Sequence, residues 1–226
     1  MSKIASKQYY YFDIIMALFV AVLLISNIAS TKIVQLWQFS FDGGTLLFPL
    51  SYIFGDILTE VYGYKKAKKV IWVGFFSAGL MAVTLMVVTA LPAAGDWPYQ
   101  EAFKNILGLT PRIVLASLIA YFAGEFSNSY ILAKLKIKTA GRHLWLRTIG
   151  STLVGEGIDT VLFIFIAFWG VLSTELLIAV FVSNYIFKTA VEIIFTPVTY
   201  KAIEFLKRKE DEDHYDCSTD FNPFAL

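Results

Sequence analysis

Six long apolar stretches run through the chain, each close to the length of about 20 residues that crosses a bilayer as a helix. They cover residues 12–34, 46–62, 70–91, 112–135, 148–169 and 173–205. The whole chain is 57% hydrophobic and 16% charged, whereas soluble domains are roughly 45–50% apolar and about 25% charged. The sequence therefore predicts an all-α polytopic membrane protein with six transmembrane helices. The last stretch exceeds one span, so we expect it to tilt, to break at Pro197 or to continue into the cytoplasm.

Lysine and arginine lie mostly in alternate loops, which indicates the orientation of the chain, because basic loops stay in the cytoplasm. The residues expected on the cytoplasmic side are Lys3, Lys7, Lys65, Lys66, Lys68, Lys69, Lys134, Lys136, Lys138, Arg142, Arg147, Lys207, Arg208 and Lys209. Lys32, Lys104 and Arg112 lie near the other side. Both termini are therefore predicted to be cytoplasmic, with an N-terminal segment at 1–11, a six-helix transmembrane domain at 12–206 and a disordered acidic tail at 207–226.

Charge and cysteine content exclude several classes of function. The formal net charge of +1 is too small for a protein that binds nucleic acid through bulk positive charge. Cys217 is the one cysteine, so we expect neither a disulfide framework nor a cysteine metal site. The sequence has no Gly-rich nucleotide loop, so the chain is not expected to hydrolyse ATP, and no metal or cofactor is predicted.

Intramembrane aspartyl proteases are the one class of enzyme to consider. Their two catalytic aspartates lie on separate spans, as Asp56 and Asp159 do here. In those enzymes the second aspartate directly follows Gly-x-Gly, whereas here Ile158 intervenes. Their other aspartate directly follows a tyrosine, which Asp56 does not. His143 and His214 lie in predicted cytoplasmic segments, so no metal or Ser/His set is expected either. The sequence therefore predicts no catalytic residues and no enzyme.

Polar residues inside the predicted spans form stripes with helical spacing. They are Ser26 and Asn27 in the first span, Tyr52, Asp56 and Glu60 in the second, Tyr121, Glu125 and Asn128 in the fourth, Glu156 and Asp159 in the fifth, and Asn184, Lys188, Glu192 and Thr196 in the sixth. A charge at mid-membrane costs about 2.5–3.5 kcal/mol on insertion scales. Six acids accompany one lysine, so they cannot all be ionised without unpaired buried charges. The set predicts a polar cavity that can hold protons; interhelical packing is the alternative.

Within this set the sequence predicts a substrate site near mid-membrane. A lone buried ammonium is unstable, so Lys188 is expected to pair with an aspartate, Asp159 first. Three aromatic residues are candidates for stacking on a flat ligand. The candidate substrate-binding residues are Asp56, Asp159, Lys188, Asn184, Asn27, Phe48, Tyr52, Glu156 and Trp169.

The chain resembles the queuosine precursor transporter family, within the broader group of vitamin uptake transporters, over about residues 12–205. The motifs that carry the resemblance are Ser26-Asn27, Phe48-Pro49, Tyr52, Asp56, Thr59, Glu60, Gly63, Arg112, Gly155, Asp159-Thr160, Ile166-Ala167-Phe168-Trp169, Lys188 and Pro197. The resemblance implies uptake of 7-cyano-7-deazaguanine or 7-aminomethyl-7-deazaguanine, precursors of the modified tRNA base queuosine, across a bacterial inner membrane.

A 7-deazaguanine presents adjacent N–H donors that one carboxylate can accept together, and a carbonyl that an ammonium or amide can donate to. Asp56 or Asp159 is expected to take the first role, and Lys188, Asn184 or Asn27 the second. A secondary carrier driven by protons or by substrate metabolism is the first interpretation. The alternative is the substrate-binding subunit of an energy-coupling-factor ABC importer, with Ala17 and Ala21 in the docking face. A homo-oligomer or an ATPase coupling module stays open as a partner.

Overall fold

The computed structural model describes residues 9–36, 39–107, 111–170, 173–217 and 219–224, and helices dominate them. The helices are α1 Phe12–Ala29, α2 Phe48–Tyr62, α3 Tyr64–Ala90, α4 Gln100–Leu107, α5 Pro111–Lys138, α6 Leu144–Phe168 and α7 Thr174–Glu210. Between α1 and α2 lie an antiparallel hairpin, β1 Ile33–Leu36 and β2 Phe39–Asp42, and a short 3-10 helix at Gly43–Leu46. The chain is thus helical, as predicted, with one small hairpin added.

Four helices in the described part of the chain are long and apolar enough to cross a membrane: α1, α3, Leu144–Ala167 of α6 and Leu177–Glu210 of α7. Helix α2 has 15 residues and is roughly 22 Å long, whereas the hydrocarbon core of a bilayer is about 30 Å thick. The 28 residues of α5 are long enough for a span. The count of six spans stays a prediction.

The first predicted span is shorter than its apolar stretch. Helix α1 ends at Ala29, and residues 33–36 pair with residues 39–42 in the register Ile33↔Asp42 to Leu36↔Phe39. Hydropathy alone extends the span to Val34, but Ile33 and Val34 are β-branched and favour a strand once the helix has ended.

Helix α2 forms the centre of the bundle. Twelve of its fifteen residues are buried, and it packs against α1, α3, α5 and α7. It begins at Phe48 with Pro49 in its first turn, where the missing N–H of proline costs no hydrogen bond. The surrounding helix α1 instead exposes Ile14, Leu18 and Ile25 on its outer face. The polar stripe of α2 is therefore enclosed on all sides, while the apolar faces of its neighbours point outward.

Helices α5 and α6 approach each other closely at Gly124 and Gly155. A Cβ atom on Gly124 would lie 2.9 Å from the carbonyl oxygen of Gly155, and one on Gly155 would lie 2.9 Å from the carbonyl oxygen of Gly124. Small residues at such crossings let two backbones touch. This contact brings the polar residues of α5 and α6 to the same side of α2.

Helix α7 has 37 residues and continues through Pro197 to Glu210. At about 1.5 Å per residue it is roughly 55 Å long, so it extends well beyond a 30 Å hydrocarbon core. Of the three outcomes expected for this stretch, the structure shows a helix that is not ended by Pro197. The basic residues Lys207 to Lys209 lie in its last turn, where their positive charge stabilises the negative end of the helix dipole.

The segment after α7, predicted to be disordered, instead packs against the helix ends, and this corrects the sequence prediction. The Asp216 carboxylate accepts the backbone N–H of Tyr64 at 3.0 Å. Lys68 donates to the carbonyl oxygen of Asn222, and the Trp72 indole donates to that of Pro223, both at 2.9 Å. A polar composition does not prevent order here, because the bundle supplies specific partners for the tail.

The two ends of the described chain meet at one end of the bundle. The backbone N–H groups of Tyr10 and Tyr11 donate to the Glu210 carboxylate at 3.0 and 2.7 Å. The Tyr9 hydroxyl donates to Glu212, and burial together with this bond raises the pKa of Tyr9 to about 12. The predicted basic residues Lys3 and Lys7, and the side chain of Arg112, lie outside the described residues.

Candidate functional site

A buried ion pair joins α6 to α7 inside the bundle. The Lys188 ammonium donates to Asp159 Oδ2 at 2.7 Å, and the two side chains are 10% and 5% exposed. The same ammonium lies 3.4 Å from the Thr160 hydroxyl and 4.7 Å from the centre of the Phe48 ring. Spacing along the helices placed both residues at similar depth, and the predicted pairing of Lys188 with Asp159 is confirmed.

Two aromatic residues from the first turns of α2 border this pair. The ring centres of Phe48 and Tyr52 are 6.0 Å apart, and the planes are tilted by 53°. Tyr52 is fully buried, and its hydroxyl contacts the α5–α6 crossing at Gly124. That hydroxyl has no hydrogen-bond partner among the described residues. The structure therefore places Phe48 and Tyr52 beside the charged pair, and their stacking on a ligand stays a prediction.

Asp56 lies one turn further along α2 and is also fully buried. Its Oδ1 accepts a hydrogen bond of 2.8 Å from the side-chain amide of Asn128 on α5. Its other oxygen has no hydrogen-bond partner within the described chain. Asp56 is thus held by an amide rather than by a cation, and it keeps one oxygen available as an acceptor.

Two glutamates complete the acidic centre. Glu125 on α5 and Glu156 on α6 are fully buried, and none of their four carboxyl oxygens accepts a hydrogen bond from a residue that the structure describes. Glu125 interacts electrostatically with Asp159 and Glu156, and also with Glu192 on α7. Glu156 was among the predicted site residues. Glu125 was not, although its spacing from Tyr121 and Asn128 already placed it on the inner stripe of α5.

The remaining predicted residues divide into one that joins the site and two that do not. Asn184 lies one helical turn before Lys188, is 7% exposed, and its Oδ1 has no partner in the described residues. Asn27 accepts a hydrogen bond from Ser117 of α5 and lines a separate small pocket against α3. Trp169 is 63% exposed and stacks on Phe165 at the outside of α6. The structure therefore does not bring Asn27 and Trp169 to the ion pair.

Glu60 belongs to a different cluster at the end of the bundle where residues 9–11 meet Glu210 and Glu212. Arg147 donates to its Oε1 at 3.0 Å, Lys207 does so at 2.8 Å, and Lys136 lies 3.5 Å away. Lys136 and Lys207 also contact Asp213 of the tail, at 2.6 and 2.8 Å. Burial raises the pKa of Asp213, but the hydrogen bonds from the two lysines outweigh burial and lower it.

This cluster, which we call the basal network (Glu60, Lys136, Arg147, Lys207 and Asp213), was missed by the sequence analysis. The basic-loop pattern assigns Lys136 and Arg147 only a role in orienting the chain, yet each is 1% exposed. Both residues still lie at one end of the bundle. Their shared acidic partner is Glu60, which the i,i+4 stripe on α2 groups with Asp56.

An enclosed polar centre within apolar helices is the arrangement found in membrane transporters, where intramembrane charges mark the path of a substrate. The fold and the site therefore define a polytopic transporter. The chain belongs to the family described as "Putative vitamin uptake transporter", which matches residues 42–202. It is a multi-pass protein of the bacterial inner membrane, and its family is named for transport rather than for catalysis.

Three curated relatives carry closely related names. The "Probable queuosine precursor transporter" of Bacillus subtilis strain 168 is 31% identical over 189 residues, which is 82% of this chain and 81% of that protein. The "Queuosine precursor transporter" of Escherichia coli K12 is 27% identical over 79% of this chain and 80% of its own length. A third, from Haemophilus influenzae, is 28% identical over 58% of this chain and 54% of its own. No solved structure matches the chain.

Proposed function

We propose that this protein imports a queuosine precursor, 7-cyano-7-deazaguanine or 7-aminomethyl-7-deazaguanine, through the polar centre of the bundle. The names of relatives that align over about four-fifths of the chain support the substrate class. The enclosed set of acids, amides and aromatic rings supports the place of binding.

The observation that carries the proposal is the Asp159–Lys188 pair beneath the Phe48 ring. A 7-deazaguanine is flat, with a donor edge formed by a ring N–H and an amino group, and with a carbonyl beside them. Asp159 is suited to accept that donor edge, Lys188 to donate to the carbonyl, and Phe48 with Tyr52 to stack on the ring. On binding, Asp159 and Lys188 would each replace their mutual contact by a contact with the ligand, so neither charge would be left unpaired.

Asp56, Asn184 and Glu156 are proposed as further contacts. Each has a buried acceptor oxygen without a partner among the described residues, so each can receive an N–H of the ligand. Asn27 and Trp169 are not proposed as contacts with the precursor in this conformation, because they lie at the α1–α5 contact and on the outer face of α6.

Six spans with both termini in the cytoplasm are part of the proposal. The meeting of residues 9–11 with Glu210 and Glu212 supports an even number of spans. The basal network lies at this same end, and its excess of basic residues supports a cytoplasmic assignment.

The three relatives are named as transporters and not as subunits of an ATP-driven importer, so a carrier that works alone is the form proposed.

Uptake into proteoliposomes tests this function. Vesicles with purified protein should take up both labelled deazaguanines, and an excess of unlabelled precursor should compete. Guanine differs from the precursors only in having a nitrogen at ring position 7 and no substituent there. Uptake of guanine therefore measures how strongly the protein discriminates at position 7. Uptake no faster than in protein-free vesicles for both precursors would contradict the proposal.

A further inference from the structure

Glu125 combines two features: the charged groups that act on it most strongly are acids, and neither of its carboxyl oxygens has a hydrogen-bond partner among the described residues. Asp159 has Lys188 as an ion-pair partner, Asp56 accepts a hydrogen bond from Asn128, and Lys188 acts on Glu156. The charged groups that interact most strongly with Glu125 are Asp159, Glu156 and Glu192. An ionised Glu125 would thus face like charges in a fully buried position.

The surroundings of Glu125 leave little space for a larger ion. Its carboxyl group lies against the backbone of α2 at Gly55, so closely that a Cβ atom there would overlap Oε1. The titratable groups that interact electrostatically with it are Tyr52 and Asp56 on α2, Glu156 and Asp159 on α6, Glu192 on α7 and Tyr121 on its own helix. Tyr52 and Tyr121 both carry buried hydroxyls without partners among the described residues. The Tyr52 hydroxyl lies by Gly124, the residue before Glu125, and the Tyr121 hydroxyl lies by Gly74 of α3.

From this geometry we propose that Glu125 is the proton-carrying residue of the transport cycle, and that import of the precursor is coupled to the inward movement of a proton. This inference rests on the function proposed above. A proton is the smallest ligand that removes the unpaired charge, and it turns one carboxyl oxygen from an acceptor into a donor.

The proton balance is simple. An O–H bond forms at Glu125 with a proton taken from external water when the site is open to that side. The bond breaks when the site opens to the cytoplasm and water there accepts the proton. No electrons are transferred, and one positive charge enters. Tyr52 connects the proposed proton site with the proposed precursor site. It interacts electrostatically with both Glu125 and Asp159, and its ring lies next to Phe48.

Glu156 is the matched comparison within the site. It is equally buried, but the charged groups that act on it include the ammonium of Lys188 as well as the acids Glu192 and Asp159. The exposed Glu204, whose side chain is 70% exposed near the end of α7, is the matched control outside the site. The variants to compare are Glu125→Gln, Glu156→Gln and Glu204→Gln.

The test measures two activities of each variant in proteoliposomes with 7-cyano-7-deazaguanine. Accumulation driven by an inward proton gradient is followed together with acidification of the lumen, and exchange of labelled for unlabelled precursor is followed without a gradient. The wild type and Glu204→Gln should accumulate precursor and acidify the lumen. Glu125→Gln should lose accumulation at least tenfold but retain exchange, which also shows that it is folded.

Several results would overturn the inference. Proton-driven accumulation by Glu125→Gln would remove the role of this residue, and so would loss of exchange, because a residue that only carries the proton leaves exchange intact. Wild-type accumulation driven by a sodium gradient, or unaffected by the proton gradient, would refute proton coupling while leaving the import function standing. A wild type that shows neither uptake nor exchange would refute the import function itself and this inference with it.

Discussion

At the scale of single residues, the account depends on how buried charges are compensated. Lys188 and Asp159 meet at 2.7 Å with almost no exposure, so neither can be solvated if the other is removed. Breaking a buried pair by removing one partner is strongly destabilising, whereas replacing both by neutral groups is often nearly neutral. This asymmetry separates a true ion pair from two independent polar residues.

We therefore predict strong coupling between these two positions. Lys188→Met alone should lower the free energy of unfolding by on the order of 3 kcal/mol, and Asp159→Asn alone should also lower it. The double variant should be more stable than the sum of the two effects implies. Thermal unfolding of the four proteins in detergent measures the coupling. Additive single effects would mean that the pair does not exist.

A second residue-scale prediction concerns Asp213, whose pKa is lowered by Lys136 and Lys207. A carboxyl group with a lowered pKa in the folded state stabilises that state above its unfolded pKa, about 3.9, and loses the contribution as pH falls through the folded value. The stability difference between the wild type and Asp213→Asn should therefore be full at neutral pH and shrink below about pH 4. Because Asp213 is about half exposed, we expect the difference to be small.

Unfolding of both proteins between pH 3 and 8 measures this difference, with Glu204→Gln as the control for an exposed acid. A difference that grows on acidification would contradict the direction of the pKa shift.

At the scale of helices, the site exists because α5 and α6 cross with their backbones in contact. The Gly124–Gly155 crossing presses both helices against Tyr52, so Glu125, Glu156 and Asp159 converge beside α2. In membranes, close packing of small residues is a main source of helix association. The geometry of the crossing thus sets the geometry of the acids.

Gly155→Ala tests this crossing. Its new Cβ atom would lie 2.7 Å from Asn128 Cβ and 2.9 Å from the carbonyl oxygen of Gly124, so the helices must separate. We expect destabilisation of about 1–3 kcal/mol and weaker precursor binding. Gly79→Ala on α3 is the matched control, because nothing lies within 4 Å of its Cβ position, and it should be neutral or stabilising by up to about 1 kcal/mol. Equal effects of the two substitutions would show that the crossing is not close.

The helix scale also explains which parts of the site could be predicted from sequence. Stripes at i,i+4 spacing place Tyr52 beside Asp56 and Asn184 beside Lys188, because helical periodicity fixes which side chains share a face. Periodicity does not fix how a helix is rotated against its neighbours. Asn27 therefore pairs with Ser117, and Trp169 lies on the outside, although both looked suited to the site.

The basal network and the tail were missed for a related reason. Glu60 continues the stripe of Asp56, but three cations from α5, α6 and α7 reach it. The tail looks disordered by composition, whereas several of its hydrogen bonds are made with residues more than 100 positions away, such as Trp72. Contacts between distant segments leave no local signal in a single sequence.

At the scale of the whole molecule, orientation is the feature that the basic loops predict most directly. Reporter fusions after residues 69 and 217 should both report a cytoplasmic location, and a fusion after residue 96 should report an external one, because the basic residues alternate between sides. An external signal from either of the first two fusions would contradict the six-span topology.

The central claim is that the buried pair of Asp159 and Lys188 recognises the precursor. Calorimetric titration of purified protein with 7-cyano-7-deazaguanine tests it most directly, with Asp159→Asn, Asp56→Asn and the control Glu204→Gln measured alongside. Asparagine keeps the volume but offers one acceptor oxygen, so we predict that Asp159→Asn weakens binding by about 10-fold or more, while Glu204→Gln binds like the wild type. Wild-type affinity in Asp159→Asn would contradict the central claim, and wild-type affinity in Asp56→Asn as well would make both acids structural residues of the bundle.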